Sequence, residues 1–344
     1  MKNQKFITNI MRVVAAMVTF VSIYLFAPWE YAWYYLQPLP ATVQQELNNA
    51  VEQGIDGVLV YVDKKGSEPT YFVSGVDNRV SQQPVRPDAL FKIGSIAKLY
   101  DAAAITKLAA AGQLVLDKHL ADYLPFTRGR IEHAEQITVR MMVQHRSGIP
   151  NFTEHKRFHW GELDFDIQEL ILDQPADFAP DTDYAYSNSN YLLLQLIIAA
   201  ITGAPHGEYI ERTLLAPLGL TRTFFSVGEV NKNELMSGYH LGYDDDLRHL
   251  DQGYVATAKE VAIFLRALNE GAFFTEQERQ LYASLYGYNH NGWVLGYQSI
   301  ARYHPQEDMV VIQFVSTTGN DLVMLTGILY DRVLRILRKA PSQH

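Results

Sequence analysis

The spacing of apolar residues changes twice along this 344-residue chain, and this change restricts its fold more than any other feature. Runs typical of strands, rich in β-branched residues, lie near both ends, over 56–62, 70–74, 294–303 and 309–316. Between about residues 90 and 270 the apolar residues recur at helical spacing. Strands from both ends can join one sheet if the middle of the chain folds as an insertion. The pattern therefore predicts an α+β fold with an antiparallel sheet, flanking terminal helices and an inserted all-helical subdomain.

Helices are predicted near both ends of the chain, where they would flank the sheet, and throughout the inserted block. Terminal helices are expected over 42–53 and 322–337. Five more are expected within the block, over 95–111, 139–145, 167–172, 191–202 and 259–269. Gly203 and Gly271 are placed to end the last two, because glycine readily adopts the left-handed conformation that closes a helix.

The N-terminal segment has the pattern of a membrane anchor. Basic residues within 1–12 precede an almost uncharged run of 17 residues over 13–29, and aromatic residues continue to position 35. We therefore predict a basic cytoplasmic N-terminus (1–12), a single transmembrane signal anchor with an aromatic belt (13–36), and the remaining chain outside the membrane. A cleaved signal peptide is the alternative, but bulky aromatic residues and Pro28 surround the candidate cleavage positions.

Composition excludes several classes of function. The chain has no cysteine, which removes cysteine nucleophiles, thiolate metal sites and disulfides. A net charge of −9 disfavours nucleic acid as a partner. The cluster of Glu154, His155 and His159 and the acidic run 244–246 lack convincing ligand spacing, so no metal or other cofactor is predicted.

Ser95 and Lys98 form the first motif that carries chemistry. Three residues apart at the start of a predicted helix, their side chains share one face. A serine hydroxyl becomes a strong nucleophile only when a neighbour accepts its proton, and a lysine does so only when its pKa is lowered. Taken alone, the motif is better explained as a helix-capping serine and a solvated lysine.

Two further motifs follow. Tyr186 and Asn188, two apart in an extended chain, would point to the same side and offer a phenol and an amide. His290, Asn291, Gly292 and Trp293 open a predicted strand whose N–H groups could bind an oxyanion. Separately, each motif also fits an ordinary polar turn.

The order of these motifs resembles that of the penicillin-recognising serine hydrolases, which include class C β-lactamases, D-Ala-D-Ala carboxypeptidases and related esterases. The resemblance extends over 42–338 and includes the connecting segments, among them the run His145-Arg146-Ser147-Gly148-Ile149-Pro150. It implies a β-lactamase/transpeptidase-like fold, preceded here by one N-terminal transmembrane helix. The sheet subdomain would comprise 42–85 and 286–338, and the helical subdomain 86–285.

The resemblance also implies a role for each motif residue. Ser95 would be acylated, and Lys98 with Tyr186 would transfer its proton. Asn188 would contact the substrate amide. The backbone N–H groups of Ser95 and Trp293 would form the oxyanion hole. His290, Asn291 and Gly292 would line the substrate beside Trp293, and the mechanism would need no cofactor.

Departures from the family pattern bear on the substrate. His290 replaces a lysine found in class C β-lactamases, which disfavours efficient β-lactam hydrolysis. Asn291 and Trp293 stand where carboxypeptidases often have threonines, and the segment between Thr275 and His290 is short. Arg279 is a weak candidate for binding a substrate carboxylate.

The resemblance predicts a membrane-anchored hydrolase on the periplasmic side of a bacterial inner membrane. Its partner would be a small-molecule or peptidoglycan-peptide substrate. We predict an activity most like that of D-Ala-D-Ala carboxypeptidases or D-amino-acid amide hydrolases. An esterase, a class C-like β-lactamase and a non-catalytic envelope scaffold remain alternatives.

Overall fold

The computed structural model describes residues 2–26, 29–161, 165–251, 253–319 and 322–339. In chain order the helices are α1 Lys2–Phe26, α2 Trp29–Leu36, α3 Val43–Glu52, α4 Ala97–Ala110, α5 Leu120–Tyr123, α6 Val139–Val143, α7 Asn188–Thr202, α8 His206–Ile210, α9 Ala258–Glu270, α10 Glu276–Leu285 and α11 Leu322–Lys339. The strands are β1 Gly57–Lys64, β2 Thr70–Gly75, β3 Phe91–Lys92, β4 Thr223–Phe224, β5 Tyr239–His240, β6 Val255–Ala256, β7 His290–Val294, β8 Tyr297–His304, β9 Met309–Val315 and β10 Thr317–Thr318.

A five-stranded antiparallel sheet in the order β2-β1-β9-β8-β7 joins the two ends of the chain. Its central pairing, β1 with β9, aligns Val58 with Val315. One apolar core lies between this sheet, α3 and α11, and a larger core joins the other face to the helical block. The predicted architecture is therefore confirmed: strands from both chain ends form one sheet, and the helical block is inserted between them. The edge strand of this sheet that matters for the site is β7.

The helix boundaries follow local capping chemistry. Thr42, Thr257 and Thr275 each accept a hydrogen bond from a backbone N–H in the first turn of α3, α9 and α10. Gly203 and Gly271 close α7 and α9 with φ of 72° and 71°.

The structure differs from the sequence prediction on both sides of the third motif. The single strand expected over 294–303 is two strands, β7 and β8, joined by a two-residue turn. The segment between Thr275 and His290, expected to be trimmed, contains the ten-residue helix α10. Smaller sheets also occur that were not predicted, including the parallel pair β5–β10.

The N-terminal apolar helix ends earlier than the predicted anchor. Among the described residues, one helical segment is long and apolar enough to span a membrane, Phe6–Phe26 within α1. The aromatic residues that follow belong to α2, where Tyr34 is buried and hydrogen-bonded to Glu46. Arg332, also fully buried, donates to both Glu46 oxygens at 2.6 and 3.0 Å and to the carbonyls of the segment that leaves α2. The end of α2 is thus attached to α3 and α11 instead of lying in the apolar span.

Candidate functional site

Ser95 lies in a short 3-10 turn, Gly94–Ile96, immediately before α4. Gly94 has φ of 54°, and a Cβ added there would lie 2.7 Å from the Trp293 nitrogen. Only glycine therefore allows the turn to adopt this conformation so close to β7. The turn presents Ser95 at the N-terminal end of α4, where backbone N–H groups favour a developing negative charge.

Lys98 lies one turn further along, buried with 6% of its surface exposed. Its Nζ donates to Ser95 Oγ at 3.2 Å and to Asn188 Oδ1 at 2.8 Å. Burial lowers the pKa of Lys98 from 10.5 to about 8, while the carboxylate of Asp101 opposes that shift. An appreciable fraction of Lys98 is therefore the free amine near neutral pH, as a proton acceptor for serine requires.

Tyr186 is the second side chain in contact with Ser95. Its hydroxyl donates to Ser95 Oγ at 2.6 Å. Burial raises the pKa of Tyr186 to about 12, so the phenol is protonated in this arrangement. The Ser95 oxygen thus accepts hydrogen bonds from both Lys98 and Tyr186, and either can relay its proton.

Asn188 reaches the site by a route that differs from the predicted one. It is not extended beside Tyr186 but is the first residue of α7. Its Oδ1 accepts from Lys98, and its Nδ2 donates to Asn151 Oδ1 at 3.3 Å. Asn188 therefore holds the Lys98 ammonium in the resting protein.

The edge strand β7 places Trp293 beside the nucleophile. The β7–β8 hairpin has a two-residue turn, so its closing pair, Val294 and Tyr297, exchanges the ladder hydrogen bonds. The next pair, Trp293 and Gln298, is then of the non-bonded type, which leaves the Trp293 N–H directed outward from the sheet. With the proximity of Gly94, this geometry suits an oxyanion hole formed with the Ser95 N–H.

Gly292 is required for packing inside the protein. A Cβ at this position would lie 2.0 Å from the Ile93 oxygen and 2.2 Å from Ser299 Oγ. Ile93 lies in the segment just before the nucleophile, and Ser299 lies on the neighbouring strand β8. The contacts therefore require glycine here so that β7 can pack closely against Ile93 and Ser299.

His290 is neutral and held by two hydrogen bonds. Its Nδ1 lies 2.5 Å from the Asn291 carbonyl, which can only accept, so Nδ1 carries the proton. Its Nε2, 2.8 Å from the Tyr286 hydroxyl, then accepts. Burial lowers the pKa of His290 to about 4. The cationic group that a lysine would supply at this position is absent at neutral pH.

His145 was not predicted as a site residue, although its segment carried the family resemblance. It is buried, its ring centroid lies 4.5 Å from that of Tyr186, and its Nδ1 accepts from the Ser187 N–H at 3.2 Å. Burial and the nearby Lys98 lower the pKa of His145 to about 3. The neutral ring supports Tyr186 without adding charge to the site.

A cavity of about 680 Å³ opens onto Ser95, Lys98, Tyr186 and Asn188. Aromatic side chains dominate its walls: Phe152, Phe158, Trp160, Phe165, Phe225, Tyr254 and Trp293. A second cavity of about 730 Å³ lies on the other side of Tyr186 and His290 and is bordered by Asn291 and Arg302. Arg279 borders neither cavity and pairs with Glu276 at 3.7 Å.

Fold and site together define a serine hydrolase of the penicillin-recognising class, with a serine, a lysine and a tyrosine in direct contact. A family model described as Beta-lactamase matches residues 36–298, which include all three motifs. The chain therefore belongs to the Beta-lactamase family, whose members are serine hydrolases that act by acyl transfer.

Individual relatives agree with this assignment. A "Beta-lactamase" of Pseudomonas fluorescens is 33% identical over 208 residues, which are 59% of this chain and 55% of that protein. The chain spans about half the length of the curated relatives it matches. The D-amino acid amidase from Ochrobactrum anthropi SV3 superimposes with a TM-score of 0.75 at 23% identity, over 86% of this chain and 97% of the amidase. The penicillin binding protein from Bacillus halodurans gives 0.69 at 20% identity, over 83% and 99%. At these identities the solved structures establish the shared fold.

Proposed function

We propose that this protein forms an acyl-enzyme on Ser95 and hydrolyses amides of D-amino acids. One observation carries the proposal: Ser95 Oγ lies 3.2 Å from Lys98 Nζ and 2.6 Å from the Tyr186 hydroxyl, within a cavity large enough for a small substrate. These contacts meet the geometric requirement for nucleophilic catalysis by an activated serine.

The proposed reaction has two stages. Ser95 Oγ attacks the substrate carbonyl carbon while its proton passes to the Lys98–Tyr186 pair, and the oxyanion binds the N–H groups of Ser95 and Trp293. The proton then moves to the leaving nitrogen as the C–N bond breaks. Water repeats the sequence on the acyl-enzyme and releases the carboxylic acid and free Ser95. The pair acts jointly, since both groups bond the same oxygen.

The choice of substrate rests on charge. Among the described residues that line the Ser95 cavity, Lys98 is the only lysine or arginine, and Asn188 already binds it. With His290 neutral, little positive charge is available for a substrate carboxylate, which favours substrates with a neutral leaving group. The structural similarity to a D-amino acid amidase supports the same choice.

Peptides with a free C-terminal carboxylate, the substrates of a carboxypeptidase, are the second candidate. Arg302 favours them: it borders the cavity beyond His290, and its Nη2 donates to Asn291 Oδ1 at 3.3 Å. Two results together would favour this alternative over the amidase. The wild type would hydrolyse a D-Ala-D-Ala peptide but no D-amino acid amide, and Arg302→Ala would lose the peptide hydrolysis.

Intact-mass spectrometry tests the nucleophile. The full chain in detergent is exposed to a fluorescent penicillin and, separately, to a fluorophosphonate, with Ser95→Ala as the matched control. We expect one adduct on the wild type and none on the variant. Labelling by the fluorophosphonate alone would favour an esterase. The absence of both adducts on folded protein would reject Ser95 as the nucleophile and favour a binding scaffold.

We also propose that Phe6–Phe26 anchors the protein in a bacterial inner membrane as a single span, with the hydrolase domain on the periplasmic side. The 21-residue length and the absence of burial of this segment support the proposal, as do the basic residues at positions 2, 5 and 12. Extraction of the full chain from membranes by detergent but not by carbonate at high pH is the expected result. Release by carbonate would contradict it.

A further inference from the structure

The inner end of the Ser95 cavity contains a buried carboxylate that the proposed reaction does not use. Asp101 lies on α4, six residues after Ser95, and is 1% exposed. It nevertheless lines the same cavity as Ser95 and Lys98. At a rise of 1.5 Å per residue, its Cα lies about 9 Å further along the helix than that of Ser95.

The partners of this carboxylate are neutral. Its Oδ1 accepts from the Tyr254 hydroxyl at 2.6 Å, and its Oδ2 accepts from Gln195 Nε2 at 3.0 Å. Within the described part of the chain it has no ion-pair partner at salt-bridge distance, whereas buried carboxylates are normally paired with a cation. Burial raises the pKa of Asp101, the expected result for a carboxylate that lacks such a partner.

A second acceptor lies near the same end of the cavity. His206 stacks on the Tyr254 ring with centroids 5.9 Å apart, and its buried Nε2 has no hydrogen-bond partner among the described residues. Burial lowers the pKa of His206, so the ring is neutral and Nε2 can accept. An ammonium group has three donors and no acceptor, so it matches this arrangement.

Apolar side chains also line the cavity that Ser95 and Asp101 share, among them Tyr191, Leu192 and Phe225. An acyl chain with four methylenes places its terminal nitrogen about 7 Å from the carbonyl carbon, a length comparable with the rise of about 9 Å along α4 between the Ser95 and Asp101 Cα atoms. The α-ammonium of an amino acid, two bonds from the carbonyl, would end several ångströms short.

We propose that the inner end of the Ser95 cavity, with Asp101 as its counter-charge, binds a primary ammonium at the end of a long apolar chain. The preferred acyl group then carries a lysine-like side chain. This inference rests on the proposed function, because it assumes that the substrate carbonyl lies at Ser95.

Among the described residues that line this cavity, the other lysine, arginine or acidic side chains are Lys98 and Asp251. Lys98 lies one turn nearer Ser95 and is bonded to Ser95 and Asn188. Asp251 lines the same cavity and accepts from Ser226 Oγ at 2.6 Å. A bound ammonium would neutralise Asp101, whose field raises the pKa of Lys98, and would thereby favour the free amine of Lys98.

Calorimetry on the full-length Ser95→Ala protein in detergent tests the proposal without turnover. The ligands are D-lysinamide and D-norleucinamide, whose side chains have the same four carbon atoms and differ only in the terminal ammonium, which D-norleucinamide lacks. We expect D-lysinamide to bind about 10- to 100-fold more tightly, the range for a charge-assisted hydrogen bond. Equal affinities, or no binding of either amide at millimolar concentration, would overturn the proposal whatever the variants do.

Variants in the same background locate the effect. Asp101→Asn should reduce the affinity ratio to near 1. Asp251→Asn, the matched control on the same cavity, should keep it, and loss of the ratio in both variants would reject Asp101 as the specific counter-charge. The proposed function is judged separately, by hydrolysis of D-norleucinamide by the wild type. Turnover without lysine preference refutes the subsite alone, and lysine preference without turnover refutes the amidase alone.

Discussion

Replacement of Lys98 by methionine should make the folded protein more stable while it abolishes acylation. Lys98 is buried, and its pKa falls from 10.5 to about 8. At about 1.4 kcal/mol per pH unit, this fall means that the folded state at pH 7 is less stable by about 3 kcal/mol than it would be with an unperturbed lysine. Methionine fills a similar space without charge but forfeits the hydrogen bonds to Ser95 and Asn188, worth about 1 kcal/mol each. The net expectation is a gain of about 1 kcal/mol.

The pH dependence of this gain follows from the two pKa values. Between pH 8 and pH 10.5 the unfolded chain keeps the Lys98 proton while the folded protein releases it. Because the unfolded state then binds more protons, the stability of the wild type rises with pH across this interval. The advantage of Lys98→Met is therefore greatest below pH 8. It disappears towards pH 10.5, where only the lost hydrogen bonds remain.

Thermal unfolding of the full chain in detergent, at pH 7 and pH 10, measures both effects. A gain of 1 kcal/mol corresponds to a rise in Tm of about 1.5–2 °C for a domain of about 300 residues. Ser95→Ala is the matched control, because it removes one hydrogen-bond partner of Lys98 and keeps the buried charge. A lower Tm for Lys98→Met at pH 7, or a gain that does not shrink at pH 10, would refute this reasoning.

Three further changes test other parts of the structure. Arg332→Met should destabilise the protein by about 3–5 kcal/mol in urea unfolding, because it leaves the Glu46 carboxylate buried and unpaired, and the double variant with Glu46→Leu should recover most of this loss. Failure of the double variant to recover would contradict the ion-pair account. Gly292→Ala should slow fluorophosphonate labelling by about 100-fold, because the added Cβ would displace β7 from Ile93 by up to an ångström. An unchanged labelling rate would show that β7 need not approach the nucleophile so closely. Tyr186→Phe should slow acylation by about 100- to 10,000-fold, and a rate near that of the wild type would exclude the phenol from proton transfer.

Local sequence pattern predicted most individual helices and strands, although the helix expected over 167–172 is a short 3-10 turn, Ile167–Leu170. The helix expected over 259–269 is Ala258–Glu270, because amphipathic spacing, the Thr257 cap and Gly271 act within a few residues of one another. The merger of β7 and β8 into one expected strand has an equally local cause. Leu295 and Gly296 form a turn without the Asn-Gly or Asp-Gly pair that marks most two-residue hairpins.

The sequence by itself determined the motifs, their order and one contact, since Ser95 and Lys98 are three residues apart and helical geometry alone brings their side chains together. Only the tertiary structure decided the rest of the site. Tyr186 lies 91 residues from Ser95 along the chain, and the packing of α7 against α4 brings them within a hydrogen bond. The same packing helps to bury Lys98 and Asp101, and so sets their protonation. The physical reason is that desolvation depends on every element surrounding a group, and most of those elements are distant in sequence.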